Sequence, residues 1–179
     1  MRLLRPSSDG TRLVTIPNMN REAAPSVLWD VERYRRVAEL DDRDAGAAVV
    51  RRRIGQVTSA RFVGGSREIL TVADDGMARL WDGQTGRLLS SYRSTSRFLA
   101  DASVTPDGSM IVAGGSDGAL WFWDRATPRP LWKLRAHDSH VVGVHFEGDA
   151  LVTRGFGGEL ARWTLPDPER VIEAALPDR

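Results

Sequence analysis

Residues 71–82 read TVADDGMARLWD, and the later stretches 113–124 and 153–164 read AGGSDGALWFWD and TRGFGGELARWT. Each stretch has a β-prone run, then an Asp-Gly or Gly-Gly step, then a second β-prone run that ends at a tryptophan. Such two-residue steps supply the positive φ angles of tight hairpin turns, and the flanking β-branched and aromatic residues favour strands. The sequence therefore predicts one β-hairpin that recurs along the chain.

The repeat extends to both sides of this hairpin. Trp-Asp pairs at residues 29–30, 81–82 and 123–124, with Trp163-Thr164 as a degraded fourth, are spaced 52, 42 and 40 residues apart. A further apolar run precedes three of the hairpins, and another follows three of the tryptophans. These outer runs are 57–65, 99–108 and 141–149 before the hairpins, and 34–40, 86–92 and 129–135 after the tryptophans. We therefore expect units of about 42 residues, each with four short antiparallel strands.

This pattern resembles the WD-repeat β-propeller family, in a degenerate form typical of bacterial members. The resemblance implies an all-β fold with blades of four antiparallel strands, about four blades forming an open arc or partial ring. We expect the WD-repeat region to span residues 1–179. Its predicted parts are a truncated blade with a hairpin insertion (1–40), an inserted loop (41–55), two blades (56–93 and 94–135) and a blade with a C-terminal tail (136–179).

The resemblance also identifies the residues that mark each repeat. These markers are Trp29, Asp30, Asp75, Trp81, Asp82, Asp117, Trp123, Asp124, His137 and Trp163. In the family, a His, a hairpin Asp, a Ser or Thr of the second strand and the Trp form a hydrogen-bonded set inside one blade. Here no unit keeps all four, since the third lacks the His and the fourth lacks the Asp. Because unpaired buried polar groups are costly, we expect soft blades.

The chain has fewer residues than the seven- or eight-bladed rings of this family need. Three arrangements remain open: a piece of a longer protein, two copies associating to complete one ring, and an open arc. The secondary structure of the tail also remains open. The apolar residues of 164–179 are spaced to suit either an outer strand or a short helix that starts near Pro168, and the helix is favoured.

Composition and motifs argue against catalysis and cofactors. The chain has no cysteine, which excludes disulfides and thiolate metal sites. No P-loop motif occurs. The G-x-S-x-G string at residues 114–118 contains the Asp117-Gly118 turn of the repeat hairpin, so Ser116 does not sit in a nucleophile elbow. The spacing of His137, His140 and His145 is not a metal motif, even with Asp138 and Glu147 nearby. We therefore expect no enzyme activity, no cofactor and no metal. No apolar stretch is long enough to span a bilayer, and we expect no membrane partner and a cytoplasmic location.

The remaining function is binding to a protein partner. Trp121 and Trp132 are extra to the repeat, and tryptophan is enriched in interaction hot spots, so both are predicted partner contacts; local packing is the alternative. A nucleic-acid or phosphate-binding propeller is a second hypothesis, although the net charge of +1 gives no global basic field. It would require clustering of the arginines Arg33, Arg35, Arg36, Arg51, Arg52 and Arg53 on one face.

The resemblance to bacterial WD-repeat proteins carries one further expectation. In those proteins the repeats often follow a kinase, protease or signalling-ATPase domain. We therefore expect a non-catalytic interaction or scaffold module, forming the C-terminal WD-repeat part of a larger bacterial signalling protein.

Overall fold

The structure is a computed structural model that describes residues 3–17, 24–41 and 55–165. These residues form fifteen strands in four antiparallel sheets, each built from strands that follow one another along the chain. The predicted hairpin insertion and the inserted loop lie largely outside the described residues, and the predicted tail helix lies wholly outside them. The described residues contain no helix of the length and apolarity needed to cross a bilayer.

The first two sheets have four strands each. Their strands are β1 Leu3–Pro6, β2 Arg12–Ile16, β3 Ser26–Asp30 and β4 Arg35–Leu40, followed by β5 Val57–Val63, β6 Glu68–Ala73, β7 Met77–Asp82 and β8 Leu88–Arg93. The third sheet also has four strands, and three are described in the fourth. These are β9 Leu99–Val104, β10 Met110–Gly115, β11 Ala119–Asp124 and β12 Pro130–Arg135, then β13 Val141–Glu147, β14 Ala150–Gly155 and β15 Leu160–Thr164.

Glycine shapes the hairpin turns for two separate reasons. Gly76 and Gly118 have φ angles of 73° and 77°, in the left-handed region that side chains rarely adopt. A Cβ on Gly118 would also lie 2.2 Å from the carbonyl oxygen of His137, in the segment that leads to the next sheet. The turn therefore fixes the hairpin and lets the neighbouring segment approach closely.

The sheets contact one another in chain order, through their first strands. β5 contacts β1 and β9, and β9 also contacts β13. We call the side of a sheet that packs on the preceding sheet its leading face, and the side that packs on the following sheet its trailing face. The core consists of the three apolar layers between consecutive sheets.

Each layer joins the trailing face of one sheet to the leading face of the next. The first layer contains Val14, Ile16 and Leu28 against Ala60, Ile69 and Trp81. The second contains Leu70, Val72 and Leu80 against Ala102, Ile111 and Trp123. The third contains Val112, Leu120 and Phe122 against Val144, Leu151 and Trp163. The repeat tryptophans of the second, third and fourth sheets thus all lie on leading faces. The predicted all-β architecture of WD-type blades is confirmed.

Candidate interaction surface

The aspartates of the Trp-Asp pairs cap the turns that follow the third strands. Asp82 accepts hydrogen bonds from the backbone amides of Gln84 (3.0 Å) and Thr85 (2.7 Å), and from the Thr85 hydroxyl (2.8 Å). These bonds, the Thr85 hydroxyl first, hold the pKa of Asp82 below its ordinary value. Asp124 accepts from the amides of Ala126 and Thr127 in the same way. The carboxylates therefore have a structural use in the turns.

The tryptophans of three sheets donate to a threonine of the second strand. The Nε1–Oγ1 distances are 3.0 Å for Trp29–Thr15, 2.8 Å for Trp81–Thr71 and 2.9 Å for Trp163–Thr153. The third sheet has Ala113 at this position, and Trp123 Nε1 instead donates to the backbone carbonyl of Arg93 at 3.2 Å. In the third sheet the acceptor of the tryptophan N–H is therefore a backbone carbonyl of the preceding sheet, and not a side chain of the same sheet.

The fourth sheet brings three members of the expected set together. His137 is buried, and its Nε2 lies 2.9 Å from Thr153 Oγ1. The same hydroxyl oxygen accepts the Trp163 indole N–H. The three side chains therefore share one buried hydroxyl, which ties the segment before β13 to β14 and β15.

The hairpin aspartates of the second and third sheets have different partners. Asp75 pairs with Arg79 at 2.8 Å and accepts the amide of Gly55 at 3.1 Å. Burial of Asp75 raises its pKa, but the Arg79 guanidinium and the backbone amides of Gly55 and Met77 together outweigh burial, so the pKa lies below its ordinary value. Asp117 accepts from Ser96 Oγ at 3.0 Å and pairs with Lys133 Nζ at 2.6 Å. Both carboxylates are committed to structural bonds.

Trp121 lies in the layer between the second and third sheets. Its ring is 8% exposed and stacks on Trp123, with centroids 6.2 Å apart. The Lys133 ammonium lies 4.8 Å from the Trp121 centroid, a favourable cation–π geometry. Trp121 Nε1 has no hydrogen-bond partner among the described residues. This placement leaves little of the ring for a partner to contact.

Trp132 lies on the outer strand of the third sheet and is half-buried. Its ring stacks on Phe122 with centroids 4.7 Å apart, so part of its surface belongs to the layer with the fourth sheet. The remaining surface is open on the outer side of the molecule. Of the two predicted contacts, Trp132 is therefore the accessible one.

A cleft of about 550 Å³ opens between the second and third sheets. Arg125 pairs with Glu68 across it, and Arg125 Nη1 also donates to the carbonyl of Gly108 at 3.0 Å. Its apolar lining consists of Leu80, Leu89, Met110, Ala126 and Leu131. Because these residues are far apart in sequence, their grouping could not be found from the repeat alone.

The histidines do not gather into one site. His140 lies edge-on to Phe98, with centroids 5.3 Å apart, and near Phe156. His145 Nε2 lies 3.4 Å from a Glu147 carboxylate oxygen. Within residues 3–17, 24–41 and 55–165, no group of three His, Asp or Glu side chains is arranged to hold a metal ion.

The arginines of the first unit have acidic neighbours. Arg33 pairs with Asp30 at 3.0 Å, and Arg36 pairs with Glu39. Such pairing lowers the positive potential that a phosphate would meet. The run Arg51–Arg53, which the alternative hypothesis also needs, lies outside the described residues.

Asp101 is the polar residue that sequence reasoning missed. It lies on β9, where its carboxylate accepts from Ser59 Oγ of β5 (2.9 Å) and from the amide of Val144 of β13 (3.0 Å). Arg61 of β5 lies 3.6 Å from the same carboxylate and donates to the Val144 carbonyl at 3.2 Å. The four residues join the first strands of three sheets. No marker pattern includes Asp101, so the repeat gave no signal for it.

Comparison with known proteins supports a WD-repeat assignment. Residues 86–124 match the family model described as WD domain, G-beta repeat. The chain is 26% identical over 170 residues to WD repeat and SOCS box-containing protein 1 of Danio rerio, covering 92% of this chain and 38% of that protein. It is 30% identical over 87 residues to nuclear distribution protein nudF of Emericella nidulans, covering 48% and 20%. It is 24% identical over 120 residues to small ribosomal subunit protein RACK1 of Caenorhabditis elegans, covering 65% and 37%.

A solved structure shares the fold. The crystal structure of the computationally designed Ika4 protein superposes with a TM-score of 0.69 at 19% identity, covering 91% of this chain and 89% of that one. The chain spans less than two fifths of the length of the three natural relatives named above. The registered Trp-Asp markers, the successive antiparallel sheets and these matches together support a WD-repeat family for the chain.

Proposed function

We propose that the chain is a non-catalytic scaffold that binds a protein partner at the cleft between its second and third sheets. Its WD-repeat relatives support a protein-interaction role in general. The cleft is the observation that supports this particular surface, because Leu89, Ala126 and Leu131 of its apolar lining are partly or fully exposed, whereas the residues of the layers between sheets are mostly buried.

The chemistry of the cleft favours a peptide segment with an apolar side chain. Leu89 is 39% exposed at its edge, and covering such a surface is favourable. The Arg125 guanidinium and Glu68 carboxylate offer a polar group of each sign beside the apolar lining. A segment with one aliphatic anchor flanked by polar residues would satisfy both parts of the surface.

The test is capture of partners by in-cell crosslinking to the tagged full-length protein, with variants that change the cleft. Leu89→Asp and Leu131→Asp should abolish capture of a specific partner, and Trp132→Ala should weaken it. Leu160→Asp is the matched control, because Leu160 is 72% exposed on the fourth sheet. Circular dichroism establishes that each variant is folded. A partner retained by both cleft variants, Leu89→Asp and Leu131→Asp, would show that the surface is wrong.

We further propose that the chain works in the cytoplasm as the C-terminal WD-repeat part of a larger bacterial signalling protein. Its repeat pattern and its resemblance to bacterial WD-repeat proteins support this context. Association of two copies to complete one ring and an open arc are the other arrangements that the sequence leaves open. Reading the genomic sequence upstream of Met1 tests the longer protein directly, since an in-frame continuation with further repeats supports it and a stop codon contradicts it.

A further inference from the structure

The trailing face of the fourth sheet differs from those of the sheets before it. Strand pairing aligns three positions across the second, third and fourth sheets. The aligned residues are Leu70, Val112 and Val152 at the first position, Val72, Gly114 and Arg154 at the second, and Leu80, Phe122 and Arg162 at the third. Two positions that are buried and uncharged in the second and third sheets thus hold exposed arginines in the fourth.

Charge extends over the first strand on the same side. Glu147 pairs with Ala150 in the fourth sheet. The corresponding residue of the second sheet is Val63, which pairs with Glu68. Arg162 pairs with Glu147 at 3.1 Å, and His145 lies 3.4 Å from it. The side chains of Glu147 and Arg162 remain 56% and 64% exposed. The exposed charged side chains make this face of the fourth sheet suited to contact with water.

The leading face of the first sheet has the opposite character. It contains Leu4, Leu13, Val27 and Trp29, which are half-exposed or exposed among the described residues. Leu13 and Trp29 are paired across β2 and β3, as Ile69 and Trp81 are in the second sheet, where both are buried against the sheet before. The first sheet therefore presents an interior-type apolar face without a described neighbour.

We infer that Arg154 and Arg162 prevent a second copy from docking its fourth sheet onto the first sheet of this one. Docking in the manner of the internal layers would bury both guanidinium groups against Leu13 and Trp29. Burying charged groups in an apolar layer is strongly unfavourable, even where one of them keeps a partner as Arg162 keeps Glu147. The trailing face of the fourth sheet and the leading face of the first sheet therefore correspond to the two sides of an internal layer. The arginines on the trailing face oppose their packing.

The test restores the interior pattern. The double variant Arg154→Val with Arg162→Leu gives the fourth sheet the residues that the second sheet has at these two positions, Val72 and Leu80. Sedimentation velocity measures association of the purified chain. We expect wild type to stay monomeric and the double variant to associate about a hundredfold more tightly. Adding Leu13→Arg should abolish that gain, because it charges the receiving face. Both closed dimers and longer head-to-tail assemblies support the inference.

The control variant also removes two positive charges, but from a different part of the surface. Arg129→Val with Arg135→Leu removes two exposed arginines from the outer edge of the third sheet and should leave the protein monomeric. A second variant adds Tyr34→Gly to the double variant, since Tyr34 stands at the edge of the receiving face. The inference is overturned if both grafted variants stay monomeric, if the control associates equally, or if wild type already forms an assembly that Leu13→Arg dissolves.

Discussion

At the scale of single residues, Tyr34 occupies in the first sheet the left-handed turn position that Gly86 occupies in the second. It lies four residues after Asp30, as Gly86 lies four residues after Asp82. Both have positive φ, 49° for Tyr34 and 74° for Gly86. A Cβ on Gly86 would lie 2.5 Å from the Ala38 Cβ of the preceding sheet, whereas Tyr34 is 93% exposed. The first sheet tolerates a side chain here because no described residue crowds it.

Tyr34→Gly should therefore stabilise the protein. Relief of the left-handed strain exceeds the entropy that glycine adds to the unfolded chain, so we expect a gain of about 0.5 to 1 kcal/mol in the free energy of unfolding. Gly86→Ala should destabilise it, because the added Cβ meets both strain and Ala38. Urea unfolding of the two variants measures both effects. A loss of stability in Tyr34→Gly would contradict this account of the turn.

The Trp–Thr bonds should differ in strength with burial. Thr71→Val leaves the fully buried Trp81 indole N–H without an acceptor, which should cost about 1 to 3 kcal/mol. Thr15→Val removes the same bond from the half-exposed Trp29, where water can replace the acceptor. Its expected cost is smaller. Chemical denaturation of both variants checks the order, and equal losses would show that the bond itself, rather than its burial, sets the effect.

At the scale of strands and sheets, the sequence was most informative where the repeat was regular. The hairpins predicted at the Asp-Gly steps 75–76 and 117–118 correspond to β6 and β7 and to β10 and β11, because an Asp-Gly turn fixes where the two paired strands meet. The cleft and the Asp101 bonds could not be predicted, since they depend on how different sheets come together. The choice between local packing and a partner contact for Trp121 stayed open for the same reason: strand alternation gives its face but not what covers that face.

Asp101 should couple the first strands of three sheets. Asp101→Ala removes the acceptor of the Ser59 hydroxyl and the Val144 amide and leaves Arg61 without its acidic partner. Bonds to a charged group are worth about 1.5 to 3 kcal/mol each, and solvent reduces this because Asp101 is partly exposed, so we expect a total loss of about 2 kcal/mol.

Hydrogen exchange locates this effect. The amides of β5 and β13 should lose protection in Asp101→Ala, while β2 and β3 of the first sheet should keep theirs. Asp138→Ala is the control, because Asp138 is a fully exposed aspartate whose ion-pair partner is close in sequence. Uniform loss of protection across all four sheets would show that Asp101 contributes to general stability without coupling these strands.

At the scale of the whole molecule, the turn aspartates should make stability depend on pH. Hydrogen bonds from Thr105 and Ser109 lower the pKa of Asp107, and the amide of Thr127 leads the bonds that lower the pKa of Asp124. A group with a lowered folded-state pKa contributes its full stability above the unfolded pKa of about 3.9, and that contribution is lost as the pH falls through the folded value.

Because of these aspartates, the free energy of unfolding should be nearly independent of pH above about pH 5 and should fall steadily as the pH drops below about 4. Asp107→Asn with Asp124→Asn should reduce the slope of this fall, since two of the carboxylates that take up protons on unfolding are gone. Glu32→Gln, which removes an exposed carboxylate outside these two turns, is the control variant. Urea titrations at a series of pH values give the slopes. If the double variant loses stability in acid as steeply as wild type, these two turns do not control acid unfolding, and other aspartates with a lowered pKa, such as Asp75 and Asp82, are the next to test.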